Sequence, residues 1–376
     1  MKEKYYSLDN ILAKDCQYNV IFGERSNGKS YAVEEYILKR YCKTGTQGAI
    51  IRRWHEDFKG KRGQAVYSPL VSNDLISKYT DGRWTGVYYY SAQWFLCRKD
   101  EDDETKIIKD TKPFCYAFAI TEMEHDKSTS YPDVTTVLFD EFITRGGYVN
   151  DEFVLFMNTL STIIRDRDNV RIFMLGNTVN KYCPYFAEMG LTHAMSMQQG
   201  SIDVYSYGDS RLHVAVEYCG NLDKKGVLIK RKKKSDFYFA FDNPRLQMIK
   251  SGSWELPIYP HKPVDFAPKD IKFIYFIKFK DNLLQCEIVM RDKYNFTFIH
   301  PKTTPLQSPE KDLIFDTDAS ALYTRSRKLG QGINKRGIVA KIIEYYNNDK
   351  VFFSDNNTGD ILTNYLDWCR KATLTD

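Results

Sequence analysis

No apolar run in the 376-residue chain approaches the length needed to span a membrane, so a transmembrane helix is not expected. The eight cysteines contain no CxxC pair and the six histidines form no cluster. That argues against a zinc site or a disulfide framework and for reduced thiols. The first ten residues, MKEKYYSLDN, lack the apolar core of a signal peptide. No internal repeat is visible. The net charge is only +5 and the pI about 8.5, too mild a basic balance to imply a nucleic-acid partner by itself. A cytoplasmic protein without membrane attachment is therefore expected. Hydrophobic residues make up 43% of the chain, enough for real cores, and its length allows two domains.

One short stretch carries chemistry. FGERSNGKSYAV, residues 22–33, places Gly23, four residues, then Gly28, Lys29 and Ser30. This is the spacing of a phosphate-binding P-loop. An apolar segment, YNVIF, precedes it. Val33, Tyr36, Ile37 and Arg40 follow at helical spacing. Strand, glycine loop and helix is the setting the motif requires. The loop Gly23, Arg25, Ser26, Asn27 and Gly28 would wrap phosphates at a helix N-terminus. Lys29 would pair with the β- and γ-phosphates of ATP, and Ser30 would hold Mg²⁺. The plain alternative is a structural turn that meets no nucleotide.

Further strands are expected at 47–54, 134–139 and 169–177, with a helix from Asp151 to Ile164 capped by Asn150 or Asp151. This alternation implies βαβ units and a mostly parallel sheet. Residues 84–121 read as antiparallel strands inserted on that sheet around a charged tip, RKDEDDETK. A further strand is expected at 201–207. The texture then changes at NLDKKGVLIKRKKKSD, residues 221–236. The expected division is an ATPase domain at 1–210, a basic linker at 211–265 and a C-terminal α/β domain at 266–376. In the last, FIYFIKF, LLQCEIVM and NFTFIHP read as three consecutive strands, followed by two helices.

VLFDEF ends a buried strand in two acids. Asp140 is placed to bind Mg²⁺, and Glu141 to deprotonate an attacking water. The adjacent pair favours an ATPase over a small-molecule kinase, which has no use for a water-activating base. Asn177, at the end of RIFMLGN, either senses the γ-phosphate or closes a turn. Arg165 and Arg167 at a helix end satisfy the helix dipole, and in a ring of identical subunits they can reach a neighbour's nucleotide. Arg52 and Arg53 either serve DNA or nucleotide or are plainly solvated, and the same two readings stand for the other basic residues. Lys127 lies on a loop that can face a neighbouring subunit.

FGERSNGKSYA, IIRRW, SYPDVTTVLFDEFI and RDRDNVRIFMLGNTVNKYCPYF together resemble the DNA-packaging (encapsidation) ATPases of small protein-primed tailed phages, ring motors related to the large terminases. The resemblance covers residues 15–190. It implies an ASCE-type P-loop fold and a homomeric ring, a pentamer, on the portal of a prohead. It also implies ATP-driven translocation of double-stranded DNA in the host cytoplasm, with a structural packaging RNA as scaffold. Carried onto this chain, Lys29 and Ser30 bind ATP and Mg²⁺, Asp140 binds Mg²⁺ and Glu141 is the base. Arg165 is a finger supplied in trans and Lys127 a second trans-acting residue. The family's basic residue two positions after its Arg pair is His55 here.

Larger packaging motors end in an RNase H-like nuclease. In this chain the first C-terminal strand carries Lys278 and no mid-strand acid. Glu287 is isolated, and Asp316 and Asp318 come later. Two-metal cleavage needs several converging carboxylates. The expectation is a degenerate nuclease fold kept for binding nucleic acid, through Lys224, Lys225, Lys230, Arg231, Lys232, Lys233 and Lys234 and through residues 322–336. Other readings are a helicase or other ring ATPase acting on nucleic acid, and a nucleotide-gated switch protein.

Overall fold

The computed structural model describes residues 6–103, 105–125, 129–145, 148–149, 151–209, 211–220, 253–254, 259–306, 308–317, 329 and 337–372. The chain divides into two compact units, Met1–Glu255 and Leu256–Asp376.

The first unit is built on a ten-stranded sheet. Its strands are β1 (Tyr18–Gly23), β2 (Gln47–Arg52), β3 (Gly86–Tyr90), β4 (Gln93–Lys99), β5 (Ile107–Lys109), β6 (Cys115–Ala119), β7 (Val134–Asp140), β8 (Arg171–Asn177), β9 (Ile202–Ser206) and β10 (His213–Cys219). They run in the order β3-β4-β6-β2-β7-β8-β1-β10-β9, with β5 beside β4. The six strands from β6 to β10 are mutually parallel. Strands buried on both faces read as unbroken apolar runs, and all seven residues of β7, VTTVLFD, are buried. The helix α1 (Lys29–Thr44) covers one face through Val33, Ile37 and Leu38. The helix α2 (Glu152–Ile164) covers the other through Phe156, Leu160 and Ile163.

Three differences from the sequence reading follow from packing. PFCYAFAI is no part of the antiparallel insertion alone, because β6 pairs parallel with β2 and joins the central sheet to β4. Asp151 does not cap α2; it takes a left-handed φ of 50°, and its side chain makes no capping bond. Asn150 lies outside the described residues. Finally, β10 falls beyond the expected domain end at 210 and pairs parallel with β1 over Tyr18–Gly23. The first unit therefore takes in residues the sequence reading gave to a linker. Trp254 belongs with it, its ring 5.3 Å from Phe22. The basic run 221–236 lies outside the described residues.

In the second unit, β11 (Ile271–Phe279), β12 (Asn282–Arg291) and β13 (Tyr294–Pro301) form the expected antiparallel meander. Two short strands flank it in parallel: β14 (Ile314–Asp316) beside β11, and β15 (Val351–Phe353) beside β13. Helices α3 (Ile338–Asn347) and α4 (Asn356–Ala372) complete the unit. Tyr275, fully buried on β11, bonds Thr297 on β13 and Tyr346 on α3, each at 3.0 Å.

Candidate functional site

At the C-terminal ends of the parallel strands the chain opens a cleft of about 210 Å³. It is lined from the loop by Ser26, Asn27, Gly28, Lys29 and Ser30, from β7 by Asp140 and Glu141, and from β8 by Asn177. This is where ligands of open α/β sheets bind, outside the carboxyl ends of the strands. Gly23 leaves β1 at φ 152°. A Cβ there would stand 2.6 Å from the Cys219 sulfur and 2.7 Å from its carbonyl oxygen. Gly28 enters α1 at φ 93° and gives no side-chain cap. The Lys29 N–H, the first of α1, donates to Asn27 Oδ1 of the loop at 3.3 Å, and the helix N-terminus sits at the loop as an anion site requires.

Lys29, largely buried, directs its ammonium at the Glu24 carbonyl (2.6 Å), Asn27 Oδ1 (3.2 Å) and Asn177 Oδ1 (3.4 Å). The ammonium thus bridges the loop to the end of β8, and Asn177 belongs to the cleft. Ser30 donates its hydroxyl to Asp140 Oδ1 at 3.1 Å. Arg52 holds the other oxygen of Asp140 at 2.9 Å. Ser30 and Asp140 are thus adjacent hard oxygen donors, the chemistry Mg²⁺ prefers, and the residues fit that ion. Glu141, next in sequence, is exposed and takes a left-handed φ of 61°.

The sequence reading missed several neighbours. Glu34 sits one helical turn beyond Ser30. Burial, with the charge of Asp140, pushes its carboxyl up to about 8 against the pull of Arg52. Tyr31 lines the cleft. Tyr6 binds the loop from outside: its N–H donates to the Asn27 carbonyl at 3.0 Å and its hydroxyl to Glu217 Oε2 at 2.5 Å. None of these carries a motif; only the fold brings them together. Arg52 and Arg53 face opposite partners, Asp140 for Arg52 and Glu152 for Arg53.

Other expected residues do not join the cleft. Arg25 is exposed and does not line it. Arg165 follows α2 at φ 45° and donates to the Thr129 carbonyl at 2.9 Å, ahead of β7 and away from the strand ends that form the cleft. Arg167 bonds the carbonyls of Pro132, Tyr131 and Val134 in the same region. Lys127 lies outside the described residues. No helix among the described residues is long and apolar enough to cross a membrane.

The stretches that build the cleft, from the phosphate loop through Arg52 to the Asp140-Glu141 pair and Asn177, fall within two blocks that match one protein family. Residues 1–67 and 103–209 match the Podovirus DNA encapsidation protein (Gp16) family. The Gp16 match passes over all of β3 and β4 and stops before β10. A DNA packaging protein of Bacillus phage B103 is 31% identical over 184 residues, 48% of this chain and 50% of the relative. One of Bacillus phage phi29 is 27% identical over 194 residues, 49% and 50% of the two chains. The chain spans about half the length of the curated relatives it matches. A chain of the bacteriophage Phi-29 viral genome packaging motor assembly superposes with a TM-score of 0.51 at 19% identity, covering 96% of this chain and 97% of that one, which is a likeness of fold. The resemblance carried by FGERSNGKSYA and SYPDVTTVLFDEFI is thus borne out by the Gp16 match.

Proposed function

We propose that this protein is an ATP-hydrolysing motor that moves double-stranded viral DNA into a prohead. The observation that carries the reading is the cleft itself, where Lys29, Ser30, Asp140 and Glu141 converge at the C-terminal ends of the parallel strands inside the Gp16-matching residues. Lys29 binds the β- and γ-phosphates of ATP, aided by loop N–H groups. Ser30 and Asp140 hold Mg²⁺, which when bound neutralises charge on the phosphate oxygens. Glu141 takes the proton of the attacking water. Asn177, bonded to the Lys29 ammonium, registers the state of the γ-phosphate.

We place Arg165 in trans, at a neighbour's nucleotide, in a homomeric ring, a pentamer, on the portal vertex in the host cytoplasm. Lys127 joins it there, and a structural packaging RNA serves as scaffold. The position of Arg165 far from its own cleft is compatible with that role. The second unit we read as an RNase H-like relic that binds nucleic acid without cutting it. Asp316 lies 3.6 Å from the Lys278 ammonium, and Glu287 accepts from Gln285 and meets His300. The ammonium beside Asp316 and the partners of Glu287 support that reading, since two-metal cleavage needs carboxylates turned toward its ions.

The test is coupling. Double-stranded DNA with assembled proheads should raise ATP turnover many-fold. Turnover indifferent to both would remove the motor and leave a nucleotide-gated switch.

A further inference from the structure

We infer that Arg53 is the residue that positions the Glu141 base, acting through the main chain; this rests on the ATPase reading above. Asp140 pairs with Leu175 as the last residue of β7, and the Phe142 N–H also donates to the Leu175 carbonyl, at 3.0 Å. Glu141 is thereby pushed out of the ladder as an extra residue, at φ 61°. A non-glycine residue in that region persists only where its surroundings fix it.

Arg53 supplies the fixing. Its Nη1 donates to the Glu141 carbonyl and its Nη2 to the Phe142 carbonyl, each at 3.2 Å. The guanidinium is 6% exposed as a residue and is itself gripped from behind. Nε and Nη2 donate to the two carboxylate oxygens of Glu152, both at 2.8 Å. Glu152 is held in turn by the Tyr185 hydroxyl (2.9 Å) and the Val149 N–H (2.8 Å). The Tyr148 ring lies 5.3 Å from the guanidinium. Only a planar fork with five donors can satisfy a carboxylate on one edge and two carbonyls on the other; an ammonium has three donors and no such plane. The arrangement joins the end of β2 and the start of α2 to the two peptides that follow Glu141. Arg53 touches no reacting atom, and it sets where the carboxylate points.

The experiment compares ATP turnover and nucleotide affinity in the full-length chain for Arg53→Lys, Glu141→Gln and the two combined. A neutral pair, Arg53→Gln with Glu152→Gln, is included because it leaves no lone buried charge should Arg53→Lys not fold. The expected result for the Arg53 variants is a kcat lowered about 10- to 100-fold, since an ångström of misplacement costs that order. KM and the affinity for ADP should stay within about threefold. On the Glu141→Gln background Arg53→Lys should cost nothing further, because both act through one base. A kcat near wild type for folded Arg53 variants, or losses that simply multiply, would overturn the positioning role. Glu141→Gln turning over like wild type would instead overturn the ATPase reading beneath it.

Discussion

Replacing Gly23 with alanine sets the phosphate loop against the strand beside it. Gly23 is the last residue of β1 and pairs with Cys219 of β10. Its carbonyl also accepts from the Thr178 N–H at 3.3 Å. The added methyl would meet the Cys219 sulfur at 2.6 Å and the Cys219 carbonyl oxygen at 2.7 Å. The sulfur can turn away, whereas the carbonyl moves only if the β1–β10 pairing shifts. A side chain at φ 152° adds strain of about 1–3 kcal/mol, and overpacking a close contact about 1–3 more. The sum, roughly 2–6 kcal/mol, is a large share of the roughly 5–15 kcal/mol that holds a domain folded. Urea unfolding followed by fluorescence should give a lower midpoint with an unchanged slope. The same change in a Cys219→Ala background should recover only part of the loss, since the carbonyl contact remains. A midpoint equal to wild type would mean that Gly23 is not wedged against β10, and the close approach of the two strands would have to be abandoned.

Lys29→Ala should abolish tight ATP binding in an equilibrium titration; an unchanged affinity removes the loop as the phosphate site. Glu141→Gln should keep nucleotide affinity and lose about 10²-fold or more in turnover, measured as phosphate release. Arg165→Ala should leave nucleotide binding by isolated subunits intact and slow only assembled rings, by up to about 10³-fold or more; equal losses in both settings would place its role within the subunit. Burial pushes the Glu217 carboxyl up to about 7 from an ordinary 4.5, with the Tyr6 hydroxyl and Lys29 opposing. Between those pH values the folded chain keeps a proton that the unfolded chain has lost. The contribution is therefore complete below about pH 4.5 and fades as pH rises to 7, by roughly 3 kcal/mol at 1.36 per unit. Glu217→Gln should flatten that part of the stability profile, and an unaltered slope would show that another group sets it.

The parts of the candidate site that were legible in the sequence are those whose residues are chain neighbours. Gly23 to Ser30 must be contiguous to wrap a phosphate, and Asp140 and Glu141 must end a buried strand. Both stretches announce themselves. Arg53 and Glu152 are 99 residues apart, and nothing local distinguishes a guanidinium buried under a loop from one facing DNA. Tyr6 and Glu217 are likewise joined only by the fold. In the sheet, β7 and β8 were plain from their unbroken apolar content. Strand β10 was passed over because HVAVEYC follows a turn and precedes a basic run, where a change of texture looked like a domain edge. The short helices Lys61–Ala65, Ser68–Ser72 and Leu75–Tyr79 are too brief to carry a periodic pattern. They are set by burial of Tyr67, Leu70 and Ile76 in the core that also holds Trp94.

The parallel pairing of β1 with β10 also has a mechanical meaning. In chain order β10 is the last described strand before the second unit begins at Leu256. Tension applied at residue 220 along the strand direction loads the ladder lengthwise. It acts in shear on all six register pairs from Tyr18–Val214 to Gly23–Cys219 together, instead of peeling them one after another from an end. Such a seam resists until its bonds yield as a group. The load enters it at Cys219, directly opposite Gly23, the residue where the phosphate loop begins.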